Sequence, residues 1–200
     1  SLSPVGRVSL YKILNGIKLE GKEVLDLGCG YEGDLAYFAT QRAILTGIDS
    51  SREQLELARK RVPEARLIEG SFEDIDKTHH YDLVFSRYAL QHARTIEPVV
   101  EKVHDALKEH GDFIFLVTHP IRQFIEKEGN NYWVKELVES NILNNTITVR
   151  EYSYTFEEYA SPTLLRLFTL ENFIEEFDRE AEQKDGAVYP GYMIMHYKKR

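Results

Sequence analysis

As far as Pro120, short apolar runs alternate with stretches of helical periodicity. The runs Glu23–Leu27, Ile44–Asp49, Arg66–Glu69, Tyr81–Ser86 and Asp112–Thr118 are short and apolar enough for buried strands of a parallel sheet. Between them, Leu35, Phe38 and Ala39 recur at helical spacing behind Asp34. Leu55, Ala58 and Val62 mark a second helix, which opens with Ser50 and Glu53 at capping-box spacing. A third opens near Pro98, turns Val99, Val103, Ala106 and Leu107 inward, and ends before Gly111. The pattern predicts a doubly wound α/β sheet.

Beyond Pro120 the alternation stops. EGNNYW reads as a loop and ITVREYSYTF as an extended, half-buried arm, so residues 121–167 are expected to form a lid inserted after the fifth strand. It carries Phe124, Tyr132, Trp133, Tyr152, Tyr154, Phe156 and Tyr159, which either line a pocket or pack the lid onto the sheet. A helix near Thr155–Leu167, a strand over Leu170–Asp178 and a final strand over Tyr192–Tyr197 complete the chain, with an acidic loop, Arg179–Pro190, at the rim.

Composition narrows this picture. Two hundred residues with 42% hydrophobic content suit one domain, residues 1–200, built as a core (22–120), the lid (121–167) and closing strands (168–200). No apolar run approaches the ~20 residues of a membrane span. The opening residues lack the sequence of a signal peptide, so a cytoplasmic location is expected and the sequon Asn144-Asn145-Thr146 is read as chance. A net charge of −8 argues against a phosphate-binding surface for nucleic acid, and Lys198, Lys199 and Arg200 read as a solvated tail. Cys29 is the only cysteine, which excludes an internal disulfide and is poorly placed for covalent catalysis; a small buried filler is the plainer role. No cluster suggests a metal.

The chemistry concentrates in VLDLGCGYEG, Val24 to Gly33. A strand that turns abruptly into a helix needs backbone angles closed to most side chains, and a ligand lying there needs the backbone bare. Gly28, Gly30 and Gly33, followed by Asp49, also fit a dinucleotide fingerprint, so spacing alone leaves an NAD-dependent dehydrogenase open. Asp26 separates the readings. A carboxylate two residues before the first glycine sits badly beside a pyrophosphate and well beside the ammonium and sulfonium of S-adenosylmethionine (SAM).

DLGCG, GIDSS, EGSFED, YDLVFSRYALQHA and LKEHGDFIFLVTHP, in that order between Lys22 and Pro120, resemble the motif set of class I SAM-dependent methyltransferases, small-molecule methyltransferases of the domain type 11/25 among them. The resemblance implies a Rossmann-like, seven-stranded, mostly parallel sheet whose last strand is antiparallel. It implies SAM as cofactor and transfer of its methyl to an oxygen or nitrogen of a small-molecule acceptor, by a monomer or homodimer. A SAM-binding adaptor without activity is the alternative. Where amino-methylating relatives carry Asn or Asp before two prolines and an aromatic, this chain reads Ser86-Arg87-Tyr88-Ala89.

In such sheets ligands bind beyond the carboxyl ends of the strands. Asp26, Gly28, Cys29 and Gly30 would then form the cofactor turn. Asp49 would accept from the ribose hydroxyls, or cap the following helix, with Ser50 and Gln54 secondary. Ser71 stands where relatives place an acid for the adenine amino group, with Phe72 as adenine wall or ordinary core. The resemblance sets Ser86 near the methionine part of SAM. Tyr88, Arg122, Trp133, Tyr152 and Tyr154 are substrate candidates. His92 and His119 are candidate bases, given an imidazole pKa near neutral, against structural roles for both. Clustered Arg87, Arg122 and Arg150 would mean a carboxylate or phosphate acceptor; a tyrosine-ringed apolar pocket would mean a lipid or aromatic one.

Overall fold

A computed structural model describes residues 7–31, 33–142, 147–177, 182–184 and 186–200. After helix α1 (Arg7–Asn15) come β1 (Glu23–Leu27), α2 (Asp34–Thr40), β2 (Ile44–Asp49), α3 (Arg52–Arg61), β3 (Arg66–Glu69), β4 (Tyr81–Arg87), α4 (Glu97–Ala106) and β5 (Leu107–Thr118). Then follow α5 (Pro120–Glu126), β6 (Leu137–Ile142), β7 (Ile147–Tyr152), α6 (Phe156–Tyr159), α7 (Pro162–Leu167), β8 (Phe168–Glu176), β9 (Glu182–Lys184), β10 (Ala187–Tyr189) and β11 (Tyr192–Lys199). Seven strands form one sheet in the order β3-β2-β1-β4-β5-β11-β8. Strands β1 to β5 pair in parallel, and β11 lies antiparallel between β5 and β8.

Alternation along the strands explains the layers. Leu83 and Phe85 of β4, with Ile114 and Leu116 of β5, point to one face, where Leu10, Leu14, Phe38 and Leu55 cover them. Val84, Phe113, Phe115 and Val117 point to the other, against Val99, Val103, Tyr159 and Phe168. Both faces are dry, so the strands read as unbroken apolar runs. Strand order reverses between β1 and β4, which opens a crevice at their carboxyl ends.

Several boundaries differ from the sequence expectation. Helix α3 is capped by Ser51, whose Oγ accepts from the Gln54 amide, one residue later than the Ser50–Glu53 pair. Helix α4 stops at Ala106 and the chain turns at His110 (φ +61°). The stop is set from afar: buried Lys199 donates to the carbonyls of His104 and Leu107 at 2.8 and 2.9 Å. Lys199 is therefore no solvated tail, Lys198 pairs with Asp112 at 3.1 Å, and Arg200 donates to the Phe168 carbonyl. The helix expected over 155–167 is two short ones, because Pro162 begins a new helix capped by Ser161.

The insertion after β5 contains an antiparallel hairpin, β6–β7. In the rim segment 179–190, the described residues form a second hairpin, β9–β10; residues 179–181 and 185, like the sequon at 144–146, lie outside the described residues. Among the described residues no helix is long and apolar enough to cross a membrane.

Candidate cofactor site

The turn after β1 is built by two aligned amides and one carboxylate. Gly28 and Cys29 both donate to the Ile48 carbonyl of β2, at 2.8 and 3.1 Å. Asp49, at the end of β2, accepts the Gly30 amide on one oxygen and the Ser51 amide on the other, each at 2.8 Å. These bonds fix the carboxylate and leave it lone pairs toward the cavity it lines. Gly28 (φ +73°) lies so close to the segment after β4 that a β-carbon on it would meet that of Ala89 at 2.2 Å.

Asp26 is the unusual member. It is 2% exposed, and its Oδ2 is buried with no hydrogen-bond partner. Burial pushes its carboxyl well above the usual range, Asp34 pushes it further, Arg87 opposes and Asp49 adds. A native fold rarely leaves a buried carboxylate oxygen empty. Asp26 is not itself among the residues that line the cavity above this turn, but its unpartnered oxygen suits a cationic group such as the ammonium of SAM, whereas a pyrophosphate would add negative charge to three carboxylates.

A cavity of about 650 Å³ opens above this turn. Gly28, Asp49, Ser50, Ser71, Phe72, Tyr88 and His92 line it, so these seven sequence candidates come together. Gln54 approaches the turn from α3, its Oε1 3.7 Å from where a Gly30 β-carbon would stand. Ser71 Oγ accepts from the Glu73 amide at 3.2 Å and caps a short 3-10 turn, while Phe72 packs partly on the core.

Other candidates stand elsewhere. Ser86 is fully buried and donates to the Leu27 carbonyl at 3.0 Å, bracing β4 on β1. Cys29 fills the gap above Gly47, and burial pushes its thiol far up. His119 is 0% exposed at the start of α5. Its Nδ1 accepts from the Ile121 amide and its Nε2 faces Glu175 at 2.8 Å, so both nitrogens have partners away from the cavity lining. Its burial lowers its pKa more than Glu175 raises it.

Nor do the expected lid aromatics line the cavity. Trp133 is 72% exposed, Tyr152 packs on the core, and buried Tyr154 donates to the Ala93 carbonyl. The insertion instead braces the cavity wall from outside. Besides Tyr154, Lys135 reaches the Arg94 carbonyl at 3.2 Å, and His92 Nδ1 meets the Arg150 carbonyl at 2.8 Å. Arg87, Arg122 and Arg150 are not a shared anion site, since each faces its own carboxylate: Asp34 at 2.6, Glu126 at 2.8 and Glu139 at 2.6 Å.

Sequence reasoning missed the wall Ala93, Arg94, Thr95, Pro98, Val99 and Lys102. The available signal was position: the loop and helix after β4 must start at the carboxyl edge of the sheet. Among the described residues no group of three or more His, Cys, Asp or Glu could hold a metal.

An α/β sheet with a glycine turn, an acid ending β2 and, in β1, an acid with one unpartnered oxygen is an arrangement suited to a cationic nucleoside. A family model described as methyltransferase domain matches residues 24–111. A crystal structure assigned as a SAM-dependent methyltransferase from Listeria monocytogenes superposes with a TM-score of 0.80 at 28% identity, covering 97% of this chain and 96% of that one. Residues 24–111 thus match a methyltransferase domain, and the chain shares the fold of a SAM-dependent methyltransferase.

Relatives by sequence include a ubiquinone biosynthesis O-methyltransferase of Shewanella halifaxensis, 30% identical over 68% of this chain and 61% of its own length. Another is a sarcosine/dimethylglycine N-methyltransferase of Aphanothece halophytica, 29% identical over 48% of this chain and 37% of its own length. The chain spans less than half the length of the first curated relatives it matches.

Proposed function

We propose that this protein transfers the methyl group of SAM to an oxygen or nitrogen atom of a small-molecule acceptor. The observation that carries the reading is the buried, unpartnered Oδ2 of Asp26 in the strand that leads into Gly28 of the cavity lining. When bound, SAM supplies an electrophilic methyl on a sulfonium. The protein's part is to hold donor and acceptor in line and to keep water out.

Asp26 receives the ammonium group. Asp49, pinned by two amides, accepts the ribose hydroxyls, and Phe72 walls the adenine. His92 is the candidate base of this reading. A carbonyl can only accept, so the contact with Arg150 puts the proton on Nδ1 and leaves Nε2 of the neutral ring a free lone pair. The O- and N-methyltransferases among its relatives support both nucleophile types.

The experiment is transfer of isotope-labelled methyl from SAM to a panel of hydroxylated, carboxylated and amine acceptors, with S-adenosylhomocysteine (SAH) as the coupled product. Labelled product from one acceptor class supports the proposal. SAM binding with no transfer to any acceptor would favour a non-catalytic adaptor.

A further inference from the structure

The insertion grips the cavity wall at three consecutive residues. His92 Nδ1 lies 2.8 Å from the Arg150 carbonyl of β7, the Ala93 carbonyl accepts the Tyr154 hydroxyl, and the Arg94 carbonyl accepts Lys135 Nζ at 3.2 Å. His92, Ala93 and Arg94 all line the cavity, and Arg150, Tyr154 and Lys135 do not. The grip therefore reaches the site from outside it.

The two donors are themselves held. Lys135 stands just before β6 and Tyr154 just after β7, at the base of the hairpin, where the Ser153 amide donates to the Glu136 carbonyl at 2.8 Å and the Glu136 amide to Ser153 Oγ at 2.9 Å. The Lys135 ammonium sits 3.8 Å from the centroid of the Tyr154 ring and 2.5 Å from Glu158 Oε1. The other Glu158 oxygen accepts the Thr155 amide at 2.9 Å and so caps α6. Donors fixed this way lose little freedom when they meet a carbonyl. The wall, by contrast, has weak local support: His92 is exposed at the end of a short 3-10 turn, and residues 93–96 join that turn to α4 as neither helix nor strand.

We propose that Lys135 and Tyr154 are positioning residues for methyl transfer: by fixing the carbonyls of Arg94 and Ala93 they hold His92 against the Arg150 carbonyl, so that Nδ1 carries the proton and Nε2 stays free to accept one. This rests on the reading of His92 as the base. In the step it serves, a lone pair of the acceptor oxygen or nitrogen forms the new bond to the methyl carbon. The carbon–sulfur bond breaks with its electron pair left on sulfur, which gives SAH, and the proton of the nucleophile passes to His92 Nε2. Which ring nitrogen is free is thus set by the bond the other makes.

The test reads that tautomer directly, by nitrogen-15 NMR of histidine-labelled protein at a pH where the ring is neutral, with the signal assigned by its loss in His92→Gln. Wild type is expected to show the Nδ1–H form. Lys135→Met and Tyr154→Phe are each expected to shift it toward the Nε2–H form that free histidine favours in water, whereas Lys135→Arg, which keeps a cationic donor, retains the wild-type form. In parallel, calorimetry with SAH is expected to find its affinity unchanged in Lys135→Met and Tyr154→Phe, while kcat for labelled-methyl transfer to the acceptor found in the panel falls about tenfold.

An Nε2–H form in wild type, or a tautomer unchanged in both variants, overturns the inference. So does a loss of SAH affinity that matches the loss of turnover, since the insertion would then only shape the cavity as a whole. If one variant does not fold, the other decides alone. The expected tautomer pattern with no labelled acceptor would sink the transferase reading and leave the positioning of His92 established.

Discussion

Gly28 and Ala89 approach so closely that a β-carbon on the glycine would sit 2.2 Å from that of the alanine. The turn after β1 and the segment after β4, the two halves of the crevice, therefore touch backbone to side chain. Gly28→Ala adds this clash to the strain of φ +73°, and is expected to cost about 2–4 kcal/mol and to weaken SAH binding. Gly21 is the control: at φ +71° with nothing within 4 Å, alanine there meets strain alone, about 1 kcal/mol. Equal losses by urea denaturation would contradict the packing argument.

Asp26 should trade stability for binding. Its folded-state pKa is raised above 3.8, so the native state holds the proton more tightly than the unfolded chain. Stability contributed by the protonated form is then lost as pH rises from that value through the raised one, leaving the ionised carboxylate a burden at neutral pH. Asp26→Asn is expected to raise the melting temperature of the ligand-free protein and to abolish the further rise on adding SAH. A variant that melts lower would show that the carboxylate has a structural partner.

His119 gives a second pH dependence, of opposite sign. Burial depresses its pKa below 6.5, so its contribution is complete above that value and lost as pH falls, when the unfolded chain takes up the proton more readily. Glu175 props the pKa up. Melting temperatures between about pH 8 and 5 should therefore fall more steeply on the acid side for Glu175→Gln than for wild type. Parallel curves would refute this.

Lys199 and Lys198 are adjacent and should behave differently. Lys199→Met leaves two carbonyls without their donor, His104 and Leu107, at an expected loss of about 1–3 kcal/mol. Lys198, whose side chain is 42% exposed, loses only a surface pair on replacement by Met, roughly 1 kcal/mol or less. Denaturation midpoints of the two variants, measured side by side, check the ranking.

What the sequence made legible was local. The strands Glu23–Leu27, Ile44–Asp49 and Arg66–Glu69 stand where the apolar runs put them, because a strand dry on both faces announces itself in its own residues. The glycine turn and Asp49 were legible for the same reason: their bonds reach neighbours across one strand pair. Long-range bonds were not. The end of α4 is set by Lys199, more than ninety positions away, and Asp34 meets Arg87 across 53 positions. The lid aromatics misled because aromatic content looks the same whether a ring faces a cavity, as expected for Trp133, or solvent, as found. His119, at the mouth of the sheet by position, proved to be a buried cap.

The unpartnered oxygen of Asp26 and the pinned carboxylate of Asp49 are proposed to form a SAM cradle. Isothermal titration of wild type, Asp26→Asn and Asp49→Ala with SAM, SAH and NAD tests it most directly. Wild type is expected to bind SAM and SAH but not NAD, and both variants to lose SAM and SAH binding while remaining folded. Binding of NAD, or SAM affinity unchanged in both variants, would contradict it.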